Sequence, residues 1–377
     1  MASQYKVLVV GGGIGGMTLA HGLARAGMDV RVIESSHRTD QQGTGISLLG
    51  NALRALDRVG LADACMAAGS GWDTVSVRGD AGDVVNERRP PRTFRPDAPG
   101  AIGIMRPKLA EVLESHALAG GARIDYRTTV DDFEQHAEGV SYRLSNGETG
   151  HCDLLVAADG TYSKTRAKAF GAQHQPSYAG QGAWRLTVER PAGFDGLVLY
   201  KHRDGRMVGG LPLSDTLCYY FFLENARERS HMPDERLSEM FRERLEGFTA
   251  PDLLAAASRC DGTRYISYRP FDILMMPQPW YRGRVALLGD AAHSVTPQLT
   301  SGGGMAIEDA VVLAEELLTK ADVDAALSAY SARRGERVKR VFDISLAICQ
   351  AEQDPNADPR RAVELLLEGY GVLAEPF

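Results

Sequence analysis

Tyr5-Lys6-Val7-Leu8-Val9-Val10-Gly11-Gly12-Gly13-Ile14-Gly15-Gly16-Met17-Thr18-Leu19-Ala20 is the stretch on which the fold of this chain turns. An apolar run long enough for one strand meets six residues that include five glycines, and a helical pattern follows to Ala26 and stops at Gly27. A second apolar run, Val30-Arg31-Val32-Ile33, comes next and ends at Glu34-Ser35. Strand, glycine turn, helix and strand make one βαβ unit. The pattern Gly11-x-Gly13-x-x-Gly16 is weak alone, but here it follows a strand and opens a helix. In that setting the glycines permit a tight turn, and the amides around Gly13, Ile14, Gly15 and Gly16 can approach a pyrophosphate at the helix N-terminus. Glu34, with Ser35 beside it, is placed to accept from an adenosine ribose hydroxyl. An adenine dinucleotide is implied, but not which one.

The rest of the chain agrees with a large α/β body. It has 377 residues, 44% hydrophobic and 24% charged, with a formal net charge of -7, enough for about two domains. The acidic balance argues against nucleic acid, which calls for a basic face. Cys65, Cys152, Cys218, Cys260 and Cys349 are scattered and form no CxxC pair, which argues against a disulfide framework or a zinc site and for a reducing, cytoplasmic setting. No apolar run approaches the roughly 20 residues that span a bilayer, and no membrane role is expected.

Between Gly79 and Gly100, charge and proline (Asn86-Glu87-Arg88-Arg89-Pro90-Pro91) read as a surface loop. From Trp184 to about Arg269 the pattern mostly alternates, with one helical stretch around Arg236 to Leu245, and predicts a mainly antiparallel sheet inserted into the α/β body. Helices are expected over Met305–Leu318, around Tyr330–Arg334 and over Ala362–Leu367. The last of these is amphipathic and expected to pack on its own chain or on a second subunit.

Two further segments choose between nicotinamide and flavin. Asp153-Leu154-Leu155-Val156-Ala157-Ala158-Asp159-Gly160 is a strand ending in Asp-Gly, and it runs on through Ser163 to Arg166. Val285-Ala286-Leu287-Leu288-Gly289-Asp290-Ala291-Ala292-His293 is a second strand, ending in Gly-Asp, followed by Pro297, a glycine cluster and the helix around Glu308-Asp309. With these three motifs in this order, residues 5 to 345 resemble the group A flavoprotein aromatic hydroxylases, the single-component FAD monooxygenases of the para-hydroxybenzoate hydroxylase type. The resemblance implies an FAD-binding, Rossmann-like domain of the GR2 type in three parts, 1–75, 101–175 and 271–345. It implies a substrate-binding β-sheet domain formed by 76–100 and 176–270, and a helical tail over 346–377.

It also implies site residues. Asp290 would accept from a ribitol hydroxyl, and Arg106 in Met105-Arg106-Pro107 would reach the FAD backbone, a surface ion pair being its other reading. Asp159 and Arg166 would serve NAD(P)H use, or pair with each other to hold the fold. NADH or NADPH would visit the FAD site transiently, since no second glycine motif appears. Pro297, Gly302, Gly303 and Gly304 would back the flavin ring, although Thr300, Ser301 and Gly304 stand where the family has glycine, glutamine and asparagine. The implied reaction is hydroxylation of a small phenolic or N-heteroaromatic ring by O2 through a flavin hydroperoxide. The alternative is a reductase or oxidase of an isoprenoid or polyketide on the same scaffold.

For the substrate, Tyr220 is a hydrogen-bonding candidate or a core tyrosine, and Arg206 binds a carboxylate or is a surface arginine. Gln298 stands where relatives have an acid or histidine and cannot accept a proton. Trp184-Arg185 and Ser47 complete the candidates, and His293 is read as structural more than as a base. No cluster of basic residues on the inserted sheet is evident, which argues against a dianionic ligand. The protein is expected to be a monomer or a homodimer.

Overall fold

Residues Val7 and Val9 of the first strand point to one side and Leu8 and Val10 to the other, and each pair enters a different hydrophobic core. This is why the run reads as continuously apolar: the strand is central in a sheet covered on both faces. The structure, a computed structural model, describes residues 5–37, 44–230, 232–260 and 266–377. The central sheet has six strands in the order Tyr281–Arg282, Val285–Leu287, Leu154–Ala157, Lys6–Val10, Asp29–Glu34 and Arg123–Tyr126, all parallel except the first pair. Helices Ile14–Ala24, Arg106–Ala119 and Gly302–Thr319 cover one face. An antiparallel three-stranded sheet, Val130–His136, Gly139–Leu144 and Thr149–Cys152, covers the other.

The inserted sheet has eight strands: His293–Ser294, Ile266–Met275, Ser177–Glu189, Leu217–Asn225, Met207–Pro212, Leu197–Lys201, Val75–Arg78 and Val84–Arg88. Only the pairing of Leu197–Lys201 with Val75–Arg78 is parallel. Val84–Arg88 falls inside the stretch expected to be a loop; all five residues are exposed, so backbone pairing alone makes it a strand and no apolar pattern announces it. A helix at Pro251–Ser258, started by proline in its first turn, accompanies the expected one at Leu237–Leu245.

The two faces of this sheet differ. Trp184, Leu186, Tyr220, Phe222, Val198 and Tyr200 pack with these two helices in a core of their own, and each fully buried large side chain there contributes about 1.5–3 kcal/mol. Tyr219 and Leu211, on the opposite face, pack toward Met105. They thereby meet a small sheet of Gly45–Leu49, Ala101–Met105 and Ser70–Trp72 that belongs to the nucleotide half. Gly45 is needed at this join, because a Cβ there would stand 2.2 Å from Leu213 and 2.7 Å from Tyr219.

The expected break at residue 345 falls inside one continuous helix, Val323–Gln353, against which Pro359–Ala374 packs. Beneath the Gly-Asp turn lies a buried ion cluster. Arg334 reaches Glu308 Oε2 and Asp309 Oδ1, both at 2.7 Å, and Arg337 reaches Glu308 at 2.9 Å. His293 Nε2 lies 2.6 Å from Asp309 Oδ2, and the Gly289 amide donates to the same oxygen at 3.1 Å. The cluster ties the Gly-Asp turn to the two long helices.

Candidate active site

The glycine turn is built by close approach. Gly11 has φ +110, and a Cβ there would stand 2.3 Å from the Ala158 carbonyl; a Cβ on Gly16 would stand 2.1 Å from the Gly11 carbonyl. Gly15 lies against Leu288, whereas a Cβ on Gly13 would meet nothing within 4 Å: that position faces open space at the start of the helix. No side chain caps this helix or the one beginning at Gly302, so their first amides remain free to bind; in the helix beginning at Arg106 the first amide donates to the Thr44 carbonyl at 3.3 Å and Pro107 has none.

Glu34 ends its strand with both oxygens engaged. Oε2 accepts from the Gly12 amide at 2.8 Å, and Oε1 from the Ser36 amide and hydroxyl at 2.8 Å and from Ser35 Oγ at 3.2 Å. Burial pushes the carboxyl up, but these donors together hold it below its ordinary value, so it stays an acceptor. Asp290 lies beyond Gly289, across the strand order from Glu34. It is exposed, yet surrounding protein raises its carboxyl against the pull of His293, Arg106 and Thr161, as for a group on the wall of a deep channel. Thr161 Oγ1 stands 3.4 Å from Asp290 Oδ2 and 3.1 Å from Ser294 Oγ.

Asp159 and Arg166 hold the two turns together instead of facing the channel. Asp159 accepts from Ser163 Oγ at 2.5 Å and from Thr165 Oγ1 at 2.9 Å. Arg166, 1% exposed, donates to the carbonyls of Thr161, Ala291 and His174. It thereby fixes the backbone at Thr161 and Ala291, on either side of Asp290.

After Pro297 the chain makes one 3-10 turn and leaves it through Thr300 at φ +53, a left-handed conformation that strains a β-branched residue. Glycine, which the resemblance leads one to expect at this position, would carry no such strain. Gly302 and Gly303 are half-buried, but Gly304 is buried against Asn51 and Ala52, so its role is helix approach. Ser47 Oγ, Ser301 Oγ and Gln298 Oε1 are buried polar atoms without a partner among the described residues. Orphaned acceptors and donors beside uncapped helix starts, an open glycine, and carboxylates at both ends of the groove fit a bound dinucleotide with a polar ring.

The substrate candidates separate by face. Tyr220 and Trp184 are fully buried on the outer side of the inserted sheet, Trp184 donating to Glu224 Oε2 at 2.6 Å. Arg206 fastens a hairpin to a helix end: it donates to the carbonyls of Arg244 and Glu246 at 2.8 Å and pairs with Asp204. These three therefore lie outside the groove, because strand alternation turns 184 and 220 away and Arg206 sits in a turn. The side chains on the inner face are Arg185, Tyr219 and Phe221, since Arg185 pairs with Phe221 and Thr187 with Tyr219. Met207 and Leu223 share that face beyond the small sheet.

Gln298 is bound into a polar group that the sequence did not announce. Its Nε2 donates to Gln181 Oε1 at 2.7 Å and to Glu352 Oε2 at 3.1 Å, and burial pushes the Glu352 carboxyl up. Glu352 belongs to the segment read as a separate tail. All five cysteines are buried free thiols; burial pushes Cys65 and Cys152 up to about 12 and keeps them unreactive. Among the described residues no helix is long and apolar enough to cross a membrane, and no three His, Cys, Asp or Glu form a metal group.

A glycine-turn βαβ unit, a second carboxylate at the Gly-Asp turn and a groove closed by an inserted sheet define a flavoprotein of the FAD monooxygenase class. The chain matches the FAD binding domain family over residues 4–345 and belongs to it. It is 32% identical over 366 residues to the aurachin C monooxygenase/isomerase of Stigmatella aurantiaca, covering 95% of this chain and 92% of that one. To the FAD-dependent urate hydroxylase of Klebsiella oxytoca it is 32% identical over 358 residues, covering 89% and 87%. Among solved structures, HpxO of Klebsiella pneumoniae complexed with FAD and uric acid superposes with TM-score 0.82 at 26% identity, over 100% of this chain and 94% of that one. The chain is an FAD-dependent monooxygenase.

Proposed function

We propose that the protein uses NADH or NADPH and O2 to hydroxylate a small phenolic or N-heteroaromatic ring lying between the Pro297–Gly304 loop and the inner face of the inserted sheet. The balance is one ring C–H, one O2, one NAD(P)H and one proton giving the ring C–OH, NAD(P)+ and water. The observation that carries this reading is the part of the inner face left uncovered by the small sheet, where Phe221 and Leu223 are half-buried beside Arg185. Relatives named for urate and quinolone ring chemistry support it.

Glu34, Asp290, Arg106 and the amides from Gly13 to Gly16 would hold the FAD, and Gly302 and Gly303 would lie under its ring. Bound FAD supplies the two-electron and oxygen chemistry that no side chain here can provide. The helix starting at Gly302 directs free amides at that end of the groove and favours negative charge there. Phe221, Leu223 and Met207 exclude water and position the ring, and Tyr219 presents its hydroxyl from the same face. Gln298 orients without taking a proton, so the ring arrives ionised or loses its proton to water.

The test is a flavin spectrum of the purified protein followed by oxygen-electrode assays with NADH or NADPH, screened against hydroxypyridines, hydroxynicotinates, phenols, quinolones and urate. The expected result is oxygen uptake stimulated by one ring, with a product heavier by one oxygen. Pyridine-nucleotide oxidation coupled to a ring-reduced product, without oxygen in it, would favour the reductase alternative.

A further inference from the structure

We propose that Glu352, in the last turn of the helix Val323–Gln353, is the proton acceptor of the groove and takes up the proton that the ring hydroxyl gives to water. The inference rests on the proposed hydroxylation and names where the ring's proton goes. Glu352 lies beyond residue 345, where the family match ends, yet it stands at the end of the inner face of the inserted sheet. Gln181, 2% exposed, continues the face that Ala183 and Arg185 share, and Asn225 is its partner across the strand pair. Asn225 Nδ2 donates to the Glu352 carbonyl at 3.0 Å, and Gln353 Nε2 to the Ala179 carbonyl at 2.9 Å. These bonds fasten the helix end to the sheet.

The direction of each amide in this group is fixed by its partners. Gln181 Oε1 accepts from Gln298 Nε2 at 2.7 Å and from Cys349 Sγ at 3.1 Å, which turns Gln181 Nε2 toward Asn225 Oδ1 at 2.7 Å and Glu352 Oε2 at 3.3 Å. Gln298 Nε2 reaches the same Glu352 oxygen at 3.1 Å. Two donors thus hold Oε2, and among the described residues Oε1 receives none. Like Asp290, Glu352 is exposed while surrounding protein pushes its carboxyl up, here against the pull of the two amides. Among the described residues no cation holds it ionised. Cys349 and the neutral amides of Gln181, Asn225 and Gln298 face it, and Arg185 stands farther along the strand. Asp354 accepts from the Asn356 amide, and Arg360 and Arg361 of the following helix pair with Asp358 and Glu364. A carboxylate with one open oxygen and no counter-charge is suited to take a proton near neutral pH, which Gln298 cannot do. In the step, the ring O–H breaks and its electron pair stays on the oxygen. The proton passes through one water to Glu352 Oε1, and the resulting carboxylic acid later returns it to solvent.

The experiment titrates the yellow holoprotein with phenol, 4-hydroxybenzamide and 3-hydroxyquinoline, each beside its O-methyl ether, and follows the perturbation of the flavin absorbance between about pH 5.5 and 7.5. At the upper end of that range at least one hydroxyl compound is expected to bind about 10-fold more tightly than its ether, and the preference should fade as pH falls and Glu352 takes its proton from solvent. Glu352→Gln should keep the flavin, bind the ethers within about 2-fold of the wild type and lose the pH dependence, while Glu352→Asp keeps the pH dependence with weaker binding. In ring-stimulated oxygen uptake, Glu352→Gln should lower kcat roughly 100-fold near neutral pH and leave KM for the pyridine nucleotide unchanged, the loss shrinking as pH approaches the ring hydroxyl's own pKa. Equal binding of hydroxyl compound and ether in all three pairs, or the wild-type pH dependence retained in Glu352→Gln, would overturn the proposal. A hydroxyl preference that depends on Glu352, with no ring stimulating oxygen uptake, would leave the acceptor standing and remove the hydroxylation reading. Stimulated oxygen uptake indifferent to Glu352→Gln would do the reverse.

Discussion

Arg334 and Arg185 are both drawn into the protein, and their surroundings are opposite in sign. Arg334 has no exposed surface and lies between Glu308 and Asp309; burial opposes its charge, but the two carboxylates more than offset that and raise it. Arg185 has cations for neighbours and is brought down. The first arrangement is complete within the chain and serves the fold. The second lacks its counter-charge and stands on the inner face of the inserted sheet, so it adds nothing to the fold that an uncharged side chain of its size would not.

The comparison breaks most visibly at Arg334. Arg334→Leu leaves two buried carboxylates with fewer partners and should cost about 3–5 kcal/mol, read from urea unfolding. A loss below about 1 kcal/mol would show that the cluster does not weld the two long helices to the Gly-Asp turn. Acid should reveal the same cluster. Burial pushes Asp309 up, but His293 and Arg334 hold it down at about 2, below its unfolded value. Its contribution is therefore full above pH 4 and is lost as pH falls toward 2, about 2 kcal/mol in all. Asp309→Asn should flatten stability against pH in that window, and an unchanged slope would remove Asp309 as its source.

Asp290 tests the groove from the cofactor side. Asp290→Ala should weaken flavin binding about 10- to 100-fold, the worth of one charge-assisted hydrogen bond, with the fold intact. The ratio of flavin to protein absorbance after purification measures this. Full yellow colour would place the ribitol contact elsewhere.

What the sequence disclosed divides along the same line. The glycine turn, Glu34 and the Gly-Asp turn are local: each needs a few adjacent residues whose types follow from backbone geometry, so spacing alone reveals them. The inner face is assembled from strands far apart in the chain, and its key strand hides its own orientation. In Cys218-Tyr219-Tyr220-Phe221-Phe222 both faces are aromatic or apolar, so alternation does not say whether Tyr219 or Tyr220 faces the groove. The neighbouring strand was more informative, because Trp184, Leu186 and Val188 alternate with Arg185 and Thr187, and the polar set had to face away from the helix-covered core. Glu352 was hidden differently: its partners Gln181 and Gln298 lie in other segments, and nothing local marks an acid near the end of a long helix.

Because Arg185 has cations for neighbours, removing its charge should not weaken the fold. Arg185→Met keeps the volume and ends the repulsion from Arg106 and Arg269, so stability, read from urea unfolding, should rise by about 0.5–1 kcal/mol. Stability falling by more than about 1 kcal/mol would mean that Arg185 has a structural partner, and would bring it into line with Arg334.

The smallest effect is expected at Tyr220, and it sharpens the comparison between the two faces. Its ring is buried among Phe194, Tyr200 and Trp184's core, and its hydroxyl has no hydrogen-bond partner there, so burial pushes the phenol far above its ordinary range. Tyr220→Phe removes an unsatisfied oxygen and keeps the ring, so stability should change by less than about 1 kcal/mol, toward gain, with turnover and substrate dependence unchanged. Tyr219→Phe, one residue away on the groove side, should instead shift substrate affinity with little change in stability. A turnover defect in Tyr220→Phe together with a silent Tyr219→Phe would reverse the facing of the strand and, with it, the assignment of Arg185 to the groove.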